Sequence, residues 1–371
     1  MNNGYGQLLL TQASALDDAI NSKGVITQYV TSIVQNNDDK AAIKICSILG
    51  KIAELGDSSK TSKAKDLKDS LIRFYGYKQL SFICNSEKET EQEEKTLEQL
   101  WNELNHLVGL EKVKSKVSDL VAFQRIQHLR RQMGLSSPKS TLHLAFIGNP
   151  GTGKTTVARI VGRIYKQIGL LSKGHFIEVS RTDLIAGYQG QTALKVKDVI
   201  ERSKGGVLFI DEAYSITEND HSDSYGRECL TELTKALEDY RDDLVVIVAG
   251  YTEPMCKFFE SNPGLKSRFN TFIEFDDYDS EELLSIFEKM CIKEDYTILP
   301  SAKHILIEAL NHIVDSKDDQ FANGRLIRNI FEEMMMNHAR RVAKLSNPSM
   351  EELKEFVDVD LPLCVLSEKD I

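Results

Sequence analysis

Along the first 84 residues, apolar positions recur at helical spacing. In AAIKICSILGKIAEL, Ile43, Ile45, Ile48, Leu49 and Ile52 fall near one face, and AKDLKDSLIRFYGY repeats the pattern with Leu67, Leu71, Ile72 and Tyr75. SEKETEQEEK, residues 86–95, then contains no apolar residue and reads as a solvated helix or linker at a domain boundary. Beyond residue 97 the pattern changes. Apolar runs at 142–147, 176–179, 207–210, 244–249 and 272–275 read as buried strands, with amphipathic helical segments between them, such as that of Leu230, Leu233 and Leu237. Strands alternating with helices predict an α/β fold, a parallel sheet with helices on both faces. After about residue 278 the strands are expected to stop and helices to resume. The expected division is a helical domain over 1–85, an acidic linker over 86–96, an α/β domain over 97–277 and a helical lid over 278–371.

Two segments place chemistry on that frame. GNPGTGKT comprises Gly148, Asn149, Pro150, Gly151, Thr152, Gly153, Lys154 and Thr155, and Thr156 follows it. It lies between the 142–147 strand and a helix bearing Val157, Ile160 and Val161, the context a phosphate-binding P-loop requires. Glycines let backbone N–H groups curl around a phosphate, and the helix N-terminus adds partial positive charge. Lys154 would reach the β- and γ-phosphates of ATP, and Thr155 would hold Mg²⁺. VLFIDEAY then puts Asp211 and Glu212 at the C-terminal end of a strand, where parallel sheets carry their ligand sites. Asp211 suits the Mg²⁺ shell, and Glu212 suits activation of a water for attack on the γ-phosphate. An acid pair there favours hydrolysis over phosphate transfer to a metabolite.

Composition narrows the setting. The net charge of −10 argues against general nucleic-acid binding, which needs a basic footprint; the best basic stretch, RIQHLRRQ at 125–132, reads as a solvated helix face. Six cysteines (Cys46, Cys84, Cys229, Cys256, Cys291 and Cys364) show no ligand-like spacing and read as reduced thiols. No stretch approaches the ~20 apolar residues of a membrane span, and the N-terminus makes a poor secretory leader. The expected compartment is the cytoplasm.

LVGLEKVK, the P-loop, DLIAGYQGQTA, VLFIDEAY, the segment ending DDLVVIVAGY, and NPGLKSRF occur in that order. Together they resemble the CbxX/CfqX branch of AAA+ ATPases, which includes CbbX-type Rubisco activases and the stage V sporulation protein K group. The resemblance covers about residues 105–345 and leaves the first hundred aside. It implies that Val108, Gly109 and Leu110 pack beside adenine and that Arg268 is an arginine finger reaching a neighbouring subunit's γ-phosphate. Arg325 is implied as the sensor-2 arginine, with Arg328 three residues on as the alternative. The usual polar sensor after the fourth strand is missing: Gly250 and Tyr251 stand there, leaving Tyr251 or Thr252 as candidates. Tyr188, Gln189 and Gly190 resemble a pore loop, in which a large amphipathic ring grips many sequences. The function implied is a chaperone-like remodeller, a homo-oligomeric ring, hexameric in the family, that pulls on a client protein. The alternatives are a nucleotide-switched scaffold and a nucleic-acid motor or loader.

Overall fold

A computed structural model describes residues 3–20, 22–36, 38–54, 58–76, 95–136, 141–188, 190–217, 224–317, 321–362 and 365. The acidic linker, up to residue 94, together with Cys84, Gln189 and Cys364, lies outside the described residues. The chain divides into two compact units, Met1–Lys95 and Thr96–Ile371.

The N-terminal unit holds α1 (Asn3–Ile20), α2 (Val25–Asn36), α3 (Asp39–Glu54) and α4 (Ser58–Tyr75). Helix α1 packs on α2 and α4, and α3 packs on the same two, closing the bundle. Its core contains Leu9, Leu16, Ile26, Ile33, Ile45, Leu67 and Leu71. Asp17 fixes the turn into α2. Its carboxylate accepts from Ile26 N (3.0 Å), Thr27 N (2.7 Å) and Thr27 Oγ1 (2.6 Å), so first-turn N–H groups of α2 find a partner. Burial alone would raise the Asp17 carboxyl, but hydrogen bonds from Ser22, Thr27 and Ile26 outweigh it and hold the group below its ordinary value.

The second unit opens with α5 (Leu97–Asn105), whose first turn is closed by a reciprocal Thr96–Gln99 capping box, and α6 (Glu111–Gln132). Then follow β1 (Leu144–Gly148), α7 (Lys154–Gln167), β2 (Phe176–Val179), α8 (Arg181–Leu184), α9 (Gln191–Ser203) and β3 (Val207–Ile210). After them come α10 (Ser224–Asp239), β4 (Val245–Gly250), α11 (Thr252–Glu260), α12 (Pro263–Arg268) and β5 (Thr271–Phe275). The five strands form one parallel sheet in the order β2-β3-β4-β1-β5. Strand β1 lies between β4 and β5, with Leu144 opposite Ile247 of β4 and Thr271 of β5. Every residue of β1, β3 and β4 is buried, as expected for strands covered on both faces. Most of the basic stretch at 125–132, on the second half of α6, faces solvent.

The C-terminal part contains α13 (Ser280–Lys293), α14 (Pro300–Asp315) and α15 (Gly324–Val342) around Phe287, Leu306, Ile330, Phe331 and Phe356. Here the structure corrects one expectation. Strands do not stop at residue 278: β6 (Thr297–Ile298) pairs in parallel with β7 (Glu355–Phe356). A two-residue pairing across so wide a sequence gap leaves no periodic signal. What locks it is the flanking stack of Tyr296 on Phe356, with ring centroids 4.5 Å apart and planes 6° from parallel.

Among the described residues the cysteines form no disulfide. Cys229 and Cys291 are buried, and burial pushes both thiols up to about 12. No helix among the described residues is long and apolar enough to cross a membrane.

Candidate nucleotide site

The C-terminal ends of the parallel strands open onto a cavity of about 970 Å³. Gly148 ends β1 so close to β5 that a Cβ would sit 2.3 Å from the Phe275 carbonyl. Gly151 has φ +74°, and a Cβ there would meet the Ala322 carbonyl at 2.3 Å. Gly153, also at positive φ (92°), leads into α7 without any side-chain cap. The first N–H groups of α7 are therefore left for an anion at the helix's positive end. That combination fits a polyphosphate.

Lys154 Nζ donates to the carbonyls of Gly148 (2.8 Å) and Asn149 (2.7 Å). Burial depresses its pKa to about 8; Asp211 and Asp277 push it up, and Arg325 adds to the depression. Asp211 follows β3 and accepts from the N–H of Glu212 (3.0 Å). Glu212 itself is left-handed, at φ 47° and ψ 46°, a conformation that costs a non-glycine residue on the order of 1–3 kcal/mol. The strained backbone presents its exposed carboxylate to the cavity that Lys154 lines. Thr155 and Asp211 line the same cavity. One hydroxyl and one carboxylate suit a divalent cation that takes its remaining ligands from phosphate oxygens and water.

Val108 and Leu110 also line the cavity, as do Ile286, Met290 and Phe331, an apolar set suited to a flat base. Arg325 and Arg328, one helical turn apart on α15, both line it, as do Gly250, the last residue of β4, and Tyr251; Thr252 does not. Three residues expected at the nucleotide do not line the cavity. Thr152 is fully buried, Gly109 turns at φ 56° toward Glu282, and the Asn149 side chain points at Asp277.

Arg268 and Tyr188 lie elsewhere. Arg268, at the end of α12, donates to the Gly264 carbonyl (3.0 Å) and faces Glu238 of α10 at 3.7 Å. Nearby, buried His143 accepts from Val246 N at Nδ1 (3.1 Å) and donates from Nε2 to the Leu237 carbonyl (2.9 Å). Burial lowers its pKa to about 4, so the ring is neutral. Tyr188 stands on a loop fastened at both ends. Leu184 and Thr192 are fully buried, Thr192 Oγ1 accepts from Ala186 N (3.2 Å), and Lys195 Nζ donates to the carbonyls of Thr182 (2.9 Å) and Ile185 (3.0 Å). Between these anchors Tyr188 is 73% exposed. Gly190, at φ 79°, turns the chain into α9.

Sequence reasoning missed Asp277 and Asn323, which bond to the P-loop and the start of α15, and Glu238 and His143, which surround Arg268. Asn323 carries the clearest mark, a backbone at φ 47° and ψ −125°, a region nearly reserved for glycine. Only the run FANGR, with a turn-forming Asn-Gly ahead of a helix, hinted at it.

A parallel sheet with a P-loop after β1, an acid pair after β3 and a helical lid over the cleft defines an AAA-type P-loop ATPase. Comparison with known proteins agrees. Residues 144–277 match the ATPase family associated with various cellular activities (AAA), and residues 279–370 match the AAA lid domain. A CfxQ homolog from Trieres chinensis is 42% identical over 255 residues, 68% of this chain and 86% of that protein. The chloroplastic ribulose bisphosphate carboxylase/oxygenase activase of Cyanidioschyzon merolae is 39% identical over the same length, again 68% of this chain and 86% of that one. The crystal structure of the FIGL-1 AAA domain shares the fold, with a TM-score of 0.50 at 19% identity over 70% of this chain and 81% of that one. The chain belongs to the CbxX/CfqX (CfxQ) family of AAA+ ATPases.

Proposed function

We propose that this ATPase is a protein remodeller that works as a ring of copies of itself, hexameric by family resemblance, and pulls on a client polypeptide through Tyr188. The observation that carries the reading is the fastened loop. An amphipathic ring held into solvent between two buried anchors is built to touch something outside its own protomer.

ATP is the substrate of choice for the cavity. The P-loop N–H groups and Lys154 bind its phosphates, and the apolar side near Val108 and Leu110 takes the base. Mg²⁺, held by Thr155 and Asp211, would supply charge neutralisation on the β- and γ-phosphates. Glu212 orients a water and accepts its proton as the water attacks phosphorus. Arg325 or Arg328 reads the phosphates from the lid. Arg268, which does not line its own protomer's cavity, completes the site of the next protomer and stabilises the charge that develops there. The relative named as a ribulose bisphosphate carboxylase/oxygenase activase makes an enzyme a fitting client.

Glu212→Gln should bind ATP without turning it over and hold the client. Mass spectrometry of co-purifying proteins, with Glu212→Gln/Tyr188→Ala as control, tests the idea. A recurrent protein lost from the control supports the grip. Equal recovery from both removes the pulling model and favours a nucleotide-switched scaffold.

A further inference from the structure

The loop that cradles phosphate and the helix that carries the cavity's two arginines meet through one carboxylate. Asp277 lies in the short connection between β5 and α13. It accepts from Asn149 Nδ2 of the P-loop (3.0 and 3.2 Å to its two oxygens) and from Asn323 Nδ2, just before α15 (2.8 Å). Lys317 Nζ stands 3.2 Å from its second oxygen. Burial would raise this carboxyl, but the bonds from Asn323, Asn149 and Lys317 prevail and keep it below its ordinary value.

Asn323 works both ways, since its Oδ1 accepts from the N–H of Tyr278 (2.9 Å). Tyr278 in turn donates its hydroxyl to the carbonyl of Thr152 (3.1 Å), and Gly324 N donates to the carbonyl of Gly151 (3.2 Å). Asn323 is fully buried and keeps a backbone conformation that glycine would adopt without strain. Its side chain is the reason for asparagine: no glycine could bridge Asp277 to Tyr278. Arg325 and Arg328 follow directly on α15, within its first two turns.

We infer that Asp277 is a positioning residue for nucleotide recognition: by joining Asn149 to Asn323 it ties α15 to the P-loop and sets the approach of Arg325 and Arg328 to the phosphates. This rests on the reading of the cavity as the nucleotide site. Asp277 does not line the cavity. A P-loop displaced by phosphate moves the entry of α15 with it, through a path separate from any direct contact between phosphate and arginine.

The test is a thermodynamic cycle on the full chain, with Mg²⁺ and fluorescent ADP as ligand. Asp277→Asn keeps the shape but turns an amide donor toward groups that already donate. In the otherwise wild-type chain it should weaken ADP binding about tenfold, the scale of a lost charged hydrogen bond. In an Arg325→Ala/Arg328→Ala background the same change should cost less than about twofold, because the arginines it positions are gone. An equal loss in both backgrounds, or none in either, overturns the inference. Should Asp277→Asn fail to fold by circular dichroism, Asn149→Ala in the same two backgrounds decides by the same criterion. Lys154→Ala separates the two levels. If it abolishes ADP binding while the Asp277 losses are equal, only the positioning role fails; if ADP binding survives it, the site reading falls and takes the inference with it.

Discussion

Lys154 gives the most quantitative handle on the nucleotide site. Its ammonium is largely buried and titrates at about 8 instead of 10.5. The net depression, burial and Arg325 against Asp211 and Asp277, corresponds to about 3 kcal/mol by which the folded site disfavours the charged form. Between pH 8 and 10.5 the unfolded chain binds more protons than the folded one, so this group's destabilisation is complete below 8 and fades as pH rises toward 10.5. Binding has the opposite slope. A phosphate beside Nζ favours the ammonium, so nucleotide binding above pH 8 must first restore the proton. At pH 7 about nine-tenths of the free protein already carries it, whereas at pH 9 about one-tenth does, and affinity should fall about tenfold. Calorimetric titration with ADP and Mg²⁺, in buffers of different ionisation enthalpy, measures affinity and proton uptake together. Uptake should rise from about 0.1 proton at pH 7 to about 0.9 at pH 9. Lys154→Arg, permanently charged, should lose the slope whatever its affinity. Equal affinity and equal uptake at both pH values would refute the burial argument.

The trans role proposed for Arg268 can be tested by mixing. Arg268→Ala and Glu212→Gln should each lose about 10²–10³-fold in ATPase rate, and the two mixed should regain measurable turnover, because one protomer still offers a finger and its neighbour an intact carboxylate. A mixture as dead as its parts would place Arg268 outside the neighbour's site. His143 supplies an acid-side test. Its folded pKa of about 4 lies below the ordinary 6.5, so the stability tied to its neutral ring is lost as pH falls from 6.5 through 4, about 3 kcal/mol in all. Its ring resonances should not shift above pH 5.5 by NMR; titration near 6.5 would show the buried hydrogen-bond pair to be absent in solution.

Chemistry written in contiguous residues is legible in the chain itself. GNPGTGKT and VLFIDEAY carry their context with them, apolar strand before and helix after, and the structure sets both at one cleft. Strands β1, β3 and β4 are legible because a strand buried on both faces is an unbroken apolar run, whereas edge strands β2 and β5 keep Glu178 and Glu274 exposed between buried residues. Asp277 is not. Its partners lie 128 and 46 residues away, and aspartate beside tyrosine after a strand reads as an ordinary turn. His143 is hidden for another reason: it sits one residue ahead of an apolar strand, and only the fold supplies the carbonyl of Leu237 that satisfies its ring. The glycines beside Tyr188 mark a loop but do not tell a tucked ring from an exposed one; the family resemblance supplies the exposed reading, and the anchoring by Lys195 and Thr192 needs the packing of α9 to appear.

The strand order carries a last implication, about wiring. Along the C-terminal edge of the sheet the connections run from the Tyr188 loop after β2, to Asp211 and Glu212 after β3, to Tyr251 after β4, to the P-loop after β1, and to Asp277 after β5. Neighbouring strands lie about 4.8 Å apart, so the carboxylates stand one spacing from the strand that feeds the tyrosine and three from the strand that feeds the lid connection. Under the proposed mechanism, one hydrolysis event at Glu212 would have two outputs on opposite flanks: a short, local one toward Tyr188, and a far one toward the lid that passes the phosphate loop and so depends on whether phosphate is bound.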